Sequence, residues 1–207
     1  TGIISAGFVE QYQQFKRIGD YGIEQDIRFI EIMDKYALKG TFNLNSGITS
    51  PEGTKFPKGQ IHRMLPASAL KQYYGKNGNE VATHGYTHPW LEKLTPAGVV
   101  YEIMKDREEL ENMFGRIVRG HAYPYGTYSD GVVDALRQCG IVYARTIKST
   151  LSFDMPTDWL RLNPTCHHDD PKLFELIENF KAYKGDAPKL FYVWGHTYDF
   201  EQKDNWD

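Results

Sequence analysis

The sequence predicts an α/β fold in which parallel strands are joined by helices, either as an open doubly wound sheet or as a barrel. Three observations carry that reading. Short apolar runs and amphipathic segments alternate about six times along the chain, the helical segments carry start and stop residues of their own, and no internal repeat, low-complexity tract or linker breaks the alternation. Length agrees, because 207 residues give room for one sizeable core and fit a single domain over 1–207 more naturally than two.

The elements follow in order. Residues 23–37 place Ile23, Ile27, Ile30, Met33 and Ala37 on one face at three- and four-residue steps, the period of an amphipathic helix, with Gly40 as its stop. TFNLN (41–45) reads as a short buried strand, SALKQYYG (68–75) as a helix closed by a glycine, and EVAT (80–83) as the next strand. A helix over 95–115 is capped by Thr95, has Pro96 in its first turn and ends at Gly115. RIVRGHAYP (116–124) reads as a strand, 129–140 as a helix between Ser129 and Gly140, and IVYARTI (141–147) as a strand. After an irregular stretch rich in Pro and Asp, 169–185 supplies a helix with Pro171 in its first turn, and KLFYVWG (189–195) supplies an apolar final strand.

Composition narrows the function classes. With 41% hydrophobic and 25% charged residues the chain is neither disordered nor collagen-like. A formal charge of -3 offers no basic stripe for phosphates, so nucleic acid is not an expected partner. Cys139 and Cys166 form no C-x-x-C pair and no framework, and both are expected to be free thiols. No apolar run reaches the roughly 18 to 20 residues of a membrane span, and the N-terminus lacks the regions of a signal peptide. The compartment stays open with the cytoplasm slightly favoured, and oligomeric state is not legible.

Polar residues follow the strands: Asp20, Asn45 and Ser46, His84, Tyr125 and His196. In a parallel barrel such positions gather on the C-terminal face, where active sites sit. VATHGYTHPW (81–90) sets His84 and His88 four positions apart. That spacing alone is more often two unrelated surface or packed histidines, but Gly85 and Pro89 argue for a loop at a strand end, where both rings can turn inward.

VATHGYTHPWL resembles the second motif of the polysaccharide deacetylases (carbohydrate esterase family 4), in which two histidines bind a divalent metal. YALKGTFNLNSG resembles the strand after that family's first helix, RGHAYPYGTYSD its third motif and LFYVWGHTYDF its final one, in the family's order over 18–200. The resemblance implies a distorted (β/α) barrel of about seven parallel strands and a metal-dependent hydrolase that removes acetyl groups from N-acetylated carbohydrates. It further implies Asp20 as base, His84 and His88 as ligands of a divalent metal (zinc first, then cobalt or nickel), the Tyr125 amide as oxyanion donor and His196 as acid. Asn45, Tyr123, Trp159 and Trp194 are the expected substrate-binding residues, the aromatic ones suiting the apolar faces of pyranose rings. The chemistry asks for such parts, since an amide has a poor leaving group and a poor electrophile, which a proton donor and a Lewis acid address in turn.

One position departs from the pattern. Where the family carries Asp-Asp-Gly, this chain reads Asp20-Tyr21-Gly22, so the ligand carboxylate is a phenol. Ionising a free phenol at pH 7 costs about 4 kcal/mol before any metal repays it. Asp20 moving across, Asp26, or the CHHDD cluster (166–170) are the alternatives for closing the shell, Asp170 being more simply a cap before Pro171. The third motif's Arg is Ala122, its usual Asp partner is Met155, and Arg119 lies nearby in sequence. His62 is expected to be a bland loop residue, His121 a packed strand residue, and Trp90, Trp159, Trp194 and Trp206 are more often core than sugar platforms. Besides the hydrolase, two rivals stand: a degenerate, inactive member that binds carbohydrate and lacks the metal because of Tyr21, and a metal-free amidase using Asp20 and His196 on a non-sugar substrate.

Overall fold

The computed structural model describes residues 13–16, 18–76 and 78–206, with side chains from Tyr21 onward. Its strands are β1 (Gln13–Lys16), β2 (Ile18–Tyr21), β3 (Thr41–Leu44), β4 (Glu80–Thr83), β5 (Gly120–Ala122), β6 (Tyr143–Arg145), β7 (Cys166–His167) and β8 (Lys189–Trp194). They form two sheets, β2-β3-β4-β5-β6 and β1-β8-β7, and every pairing between them is parallel. The segment after β6 joins the sheets. Leu162 N–H donates to the Ala144 carbonyl at 2.9 Å on one side, and Thr165 N–H donates to Tyr192 O at 2.8 Å on the other.

The helices are α1 (Gln25–Lys35), α2 (Ala67–Tyr74), α3 (Pro96–Phe114), α4 (Asp130–Gln138), α5 (Leu173–Ala182) and α6 (Thr197–Gln202). The predicted caps hold at α3 and α4: the Thr95 and Ser129 hydroxyls accept from the amides of Gly98 and Val132. Gly115 closes α3 at φ 64, the left-handed conformation that a residue without Cβ adopts at least cost.

The sequence reading differs at the ends of elements. Helix α1 starts at Gln25 and stops at Lys35, because Ile23 bridges Met64 and Ala37 turns left-handed at φ 53 before Gly40 is reached. Among the elements that went unread are β7 and α6. Each is too short for periodicity to mark, and β7 is held by its pairing with β8.

Helix α3 ties the core together. Its Val99 and Ile103 pack with Val132, Val133, Leu136 and Ala144, while its Leu110 packs with Ile30, Met33, Phe42, Leu44 and Val81. Burying these side chains contributes roughly 1.5–3 kcal/mol apiece. Cys139 and Cys166 are both buried free thiols, as expected, and burial pushes Cys166 up to about 12. Among the described residues no helix is long and apolar enough to cross a membrane.

Candidate functional site

The C-terminal ends of the strands do gather side chains, in two groups that share His196. The first surrounds Tyr21, the last residue of β2, which stands at φ 85 and is a strained placement for a residue with a Cβ. Its ring centroid lies 4.9 Å from His88, 5.2 Å from His62, 5.5 Å from His84 and 5.8 Å from His196. The phenol therefore stands among four imidazoles.

His84 is held from three directions. Its Nδ1 donates to the Ala122 carbonyl at 2.8 Å, which fixes the tautomer with the lone pair on Nε2. Its backbone N–H donates to Asp106 at 2.9 Å, and its carbonyl accepts from the Asn45 amide at 2.8 Å. Asp106 also accepts from the Ser46 N–H and hydroxyl, and Glu102, one turn earlier on α3, accepts from the Thr87 N–H and hydroxyl. Burial pushes Asp106 up to about 7 against these donated hydrogen bonds. The signal for both acids was in the sequence: Glu102 and Asp106 sit in phase with Val99, Ile103 and Leu110, on the face α3 buries.

Several expected substrate residues do other work. Asn45 is 1% exposed and gives its amide hydrogens to the carbonyls of His84 and Gly85, so it clamps the histidine loop rather than facing a ligand. Tyr123 is 1% exposed and donates its hydroxyl to Leu160 O inside the core. Trp159 is exposed on a 3-10 turn beside Asp158, whose carboxylate pairs with Arg161. Asp26 does not close a metal shell: its carboxylate is buried and accepts from Ile23 N–H, the Tyr74 hydroxyl and the Thr197 hydroxyl. Arg119 is exposed before β5, while Ala122 is buried and Met155 exposed. Asp20 pairs with Asn43 across β2 and β3, and its side chain lies outside the described residues.

Others were underrated. His62 is no bland loop residue, since it stacks on Tyr21 and meets Tyr198 edge-on at 4.9 Å; burial, then His196, lowers its pKa. Loop residues that arrive from far along the chain leave no local pattern to read. Trp90 is not core but 39% exposed, and it stacks on Tyr125 at 4.0 Å with the planes 6° apart. Tyr125 stands at φ 58 with its ring 4.5 Å from His88. His121 is packed as expected, bonded to the Thr83 hydroxyl.

The second group comprises His167 and His168 at the end of β7, Asp169, His196 after β8, and Asp199 in α6. Trp194 belongs here: His167 meets it edge-on at 4.6 Å and the buried Arg145 guanidinium lies 4.7 Å over it. Burial, then neighbouring His167, takes His168 down to about 4. Burial opposes ionisation of Asp199, but His196, His168 and His167 together hold it below the usual carboxylate range.

A metal centre takes three protein ligands with one position left open. His84 and His88 have ring centroids 4.7 Å apart, but among the described residues no third His, Cys, Asp or Glu joins them in a donor group, and Tyr21 stands beside both. The family's metal does not fit the described residues of this pair. The donor triads fall in the second group, as His167, His168 and Asp169 or as His167, His196 and Asp199.

Comparison with known proteins agrees with this architecture. Residues 11–144 match the family model for polysaccharide deacetylases. The uncharacterized protein YlxY of Bacillus subtilis (strain 168) is 28% identical over 124 residues, 59% of this chain and 34% of that protein. The deacetylase PplD of Streptococcus pyogenes, solved with acetate, superposes with a TM-score of 0.61 at 20% identity, over 70% of this chain and 61% of that one. A mutant of BA3943, described as a CE4 family pseudoenzyme with restored enzymatic activity, superposes at 0.56 and 18% identity, over 96% of this chain and 62% of that one. The chain thus spans about a third of the curated relative and under two thirds of these solved structures. At such identities the superpositions speak for the fold.

Proposed function

The chain belongs to the polysaccharide deacetylase family, and from that premise we propose that it binds an N-acetylated carbohydrate without hydrolysing it at the His84–His88 pair. The observation that carries the reading is the phenol of Tyr21 standing among His62, His84, His88 and His196, where the family's ligand carboxylate is missing. A neutral phenol supplies neither the charge nor the lone-pair basicity of a carboxylate at pH 7. BA3943, described as a CE4 family pseudoenzyme and matched over 96% of this chain, supports the idea that a chain of this fold can lack turnover, and a mutant of it with restored enzymatic activity supports the Tyr21→Asp test.

The carbohydrate surface is the Trp90–Tyr125 stack with His88 at its inner edge. Both rings are exposed, 39% and 46%, and lie at the same mouth as Tyr21. Tyr125 packs on the Trp90 ring and the Lys93 ammonium lies 4.4 Å over it, so the exposed parts of the stacked pair offer C–H contacts to a pyranose ring, while His88 and Tyr21 supply polar edges for an acetamido group.

A second reading keeps hydrolysis, and the fixed tautomer of His84 favours it, since its Nε2 lone pair is prepared as for a ligand or base. Acetate release from chitooligosaccharide separates the two. The binding reading expects no release by the wild-type protein with zinc or cobalt present, saturable binding of the same oligosaccharide in chelator, and gain of release on Tyr21→Asp. Release by the wild-type protein that disappears in His84→Ala would establish the hydrolase instead.

A further inference from the structure

We propose that His167, His196 and Asp199 hold a divalent transition-metal cation, zinc by their donor set, at a site separate from the His84–His88 pair. The three ligands come from the end of β7, the residue after Gly195 that caps α6, and the first turn of α6. Their donor atoms all lie within 4.8 Å of one another.

The arrangement centres on one oxygen. Asp199 Oδ2 faces three imidazole nitrogens at nearly equal distance: His196 Nδ1 at 3.7 Å, His167 Nε2 at 3.8 Å and His168 Nε2 at 3.9 Å. A direct hydrogen bond would draw such a pair to about 2.9 Å. Donors sharing a tetrahedral zinc with bonds of about 2.0–2.1 Å lie roughly 3.4 Å apart, so each imidazole needs an inward shift of a few tenths of an ångström toward Asp199 Oδ2, and the two histidine donors, within 4.8 Å of one another, close on the ion by rotation of their side chains. Two imidazoles and a carboxylate suit zinc or cobalt better than a hard, all-oxygen cation.

The neighbours choose between the two possible triads. Asp169 faces His168 at 3.2 Å and His167 at 3.8 Å but is also engaged by the Lys203 ammonium, whereas the ion-pair partners of the Asp199 carboxylate are imidazoles. His168 adds an independent observation: its side chain is 11% exposed, its Nδ1 has no hydrogen-bond partner, and its Nε2 lies 3.2 Å from Asp169 Oδ1 and 3.9 Å from Asp199 Oδ2. It lies so close to Gly195 that a Cβ there would stand 1.7 Å from its Nδ1. A glycine at 195 thus admits a half-buried imidazole whose Nε2 stands between the carboxylates of Asp169 and Asp199, within reach of the site as a fourth donor.

This site does not rest on carbohydrate binding, and the test keeps the two apart by using metal alone. Chelator-stripped full chain is titrated calorimetrically with zinc chloride and with cobalt chloride, and the same is done for Asp199→Asn, His167→Gln and His84→Gln. The expected result is one ion per chain at micromolar or tighter affinity, intact in His84→Gln and weakened in the other two by more than the about 10- to 100-fold that loss of an outer-shell partner costs. Asp199→Asn is nearly isosteric and decides the matter alone if His167→Gln does not fold. Absence of binding by the wild-type chain overturns the proposal, as does binding that survives Asp199→Asn and is lost in His84→Gln.

Discussion

Two halves of one mouth have been built differently. Around Tyr21 the backbone is held rigidly, with His84 clamped by Asp106, Asn45 and Ala122, and the group beside it is a phenol. Around Asp199 the side chains of the proposed zinc site are assembled from a two-residue strand, the residue before α6 and a six-residue helix. The contrast teaches that preorganisation and donor chemistry are separable: the first half keeps the rigidity, the second holds the charge and the imidazoles.

The largest break in that comparison is at Asp106. Replacing it by Ala strands the Ser46 N–H and hydroxyl and the His84 N–H in the interior, at about 1–3 kcal/mol for each unsatisfied group. We expect a loss of about 3 kcal/mol or more, a fall in Tm of roughly 6–12 °C in a thermal melt, with the first half disordered and zinc binding by Asp199 retained. An unchanged Tm would refute the clamp. The same carboxyl gives a pH dependence. Its folded pKa of about 7 lies above the unfolded 3.8, so its contribution to stability is full below about pH 4 and is lost as pH rises through about 7. Urea unfolding across that window should show the decline in the wild-type chain and a flatter profile in Asp106→Asn.

A smaller break strikes the other half. Gly195→Ala drives a methyl into His168, an overpacking of about 1–3 kcal/mol. Zinc affinity should fall at least tenfold while binding of chitooligosaccharide in chelator is unaltered. Equal affinity for zinc in this variant would show that His168 is not held against the site.

The mildest test sharpens the carbohydrate side. Trp90→Ala removes one ring of the exposed stack and should weaken oligosaccharide binding about tenfold, the order of a single aromatic contact, with no change in zinc affinity. Undiminished binding would move the carbohydrate surface elsewhere.

The sequence carried the strand–helix order well, because Thr95, Ser129 and Gly115 are local signals and each made the contact that such residues make. It also exposed the Tyr21 departure, since a motif position is legible wherever the chain later folds. It failed where function depends on partners distant along the chain. Asn45 and Tyr123 follow strands and looked like ligand contacts, but their hydrogen-bond donors are spent on backbone carbonyls 37–40 residues away. His62 reached the site from a loop, and His167 and His168 were set by the pairing of β7 with β8, a non-local event no window of residues encodes. Glu102 and Asp106 were the missed opportunity: acids in apolar phase on a long helix advertise a buried polar role.

The most direct test of the account is an anomalous difference map, recorded at the zinc absorption edge from crystals of the wild-type chain grown with zinc. The account predicts a peak bonded to His167, His196 and Asp199 and none between His84 and His88. A peak bonded to His84 and His88, with Tyr21 displaced or coordinating, would contradict it.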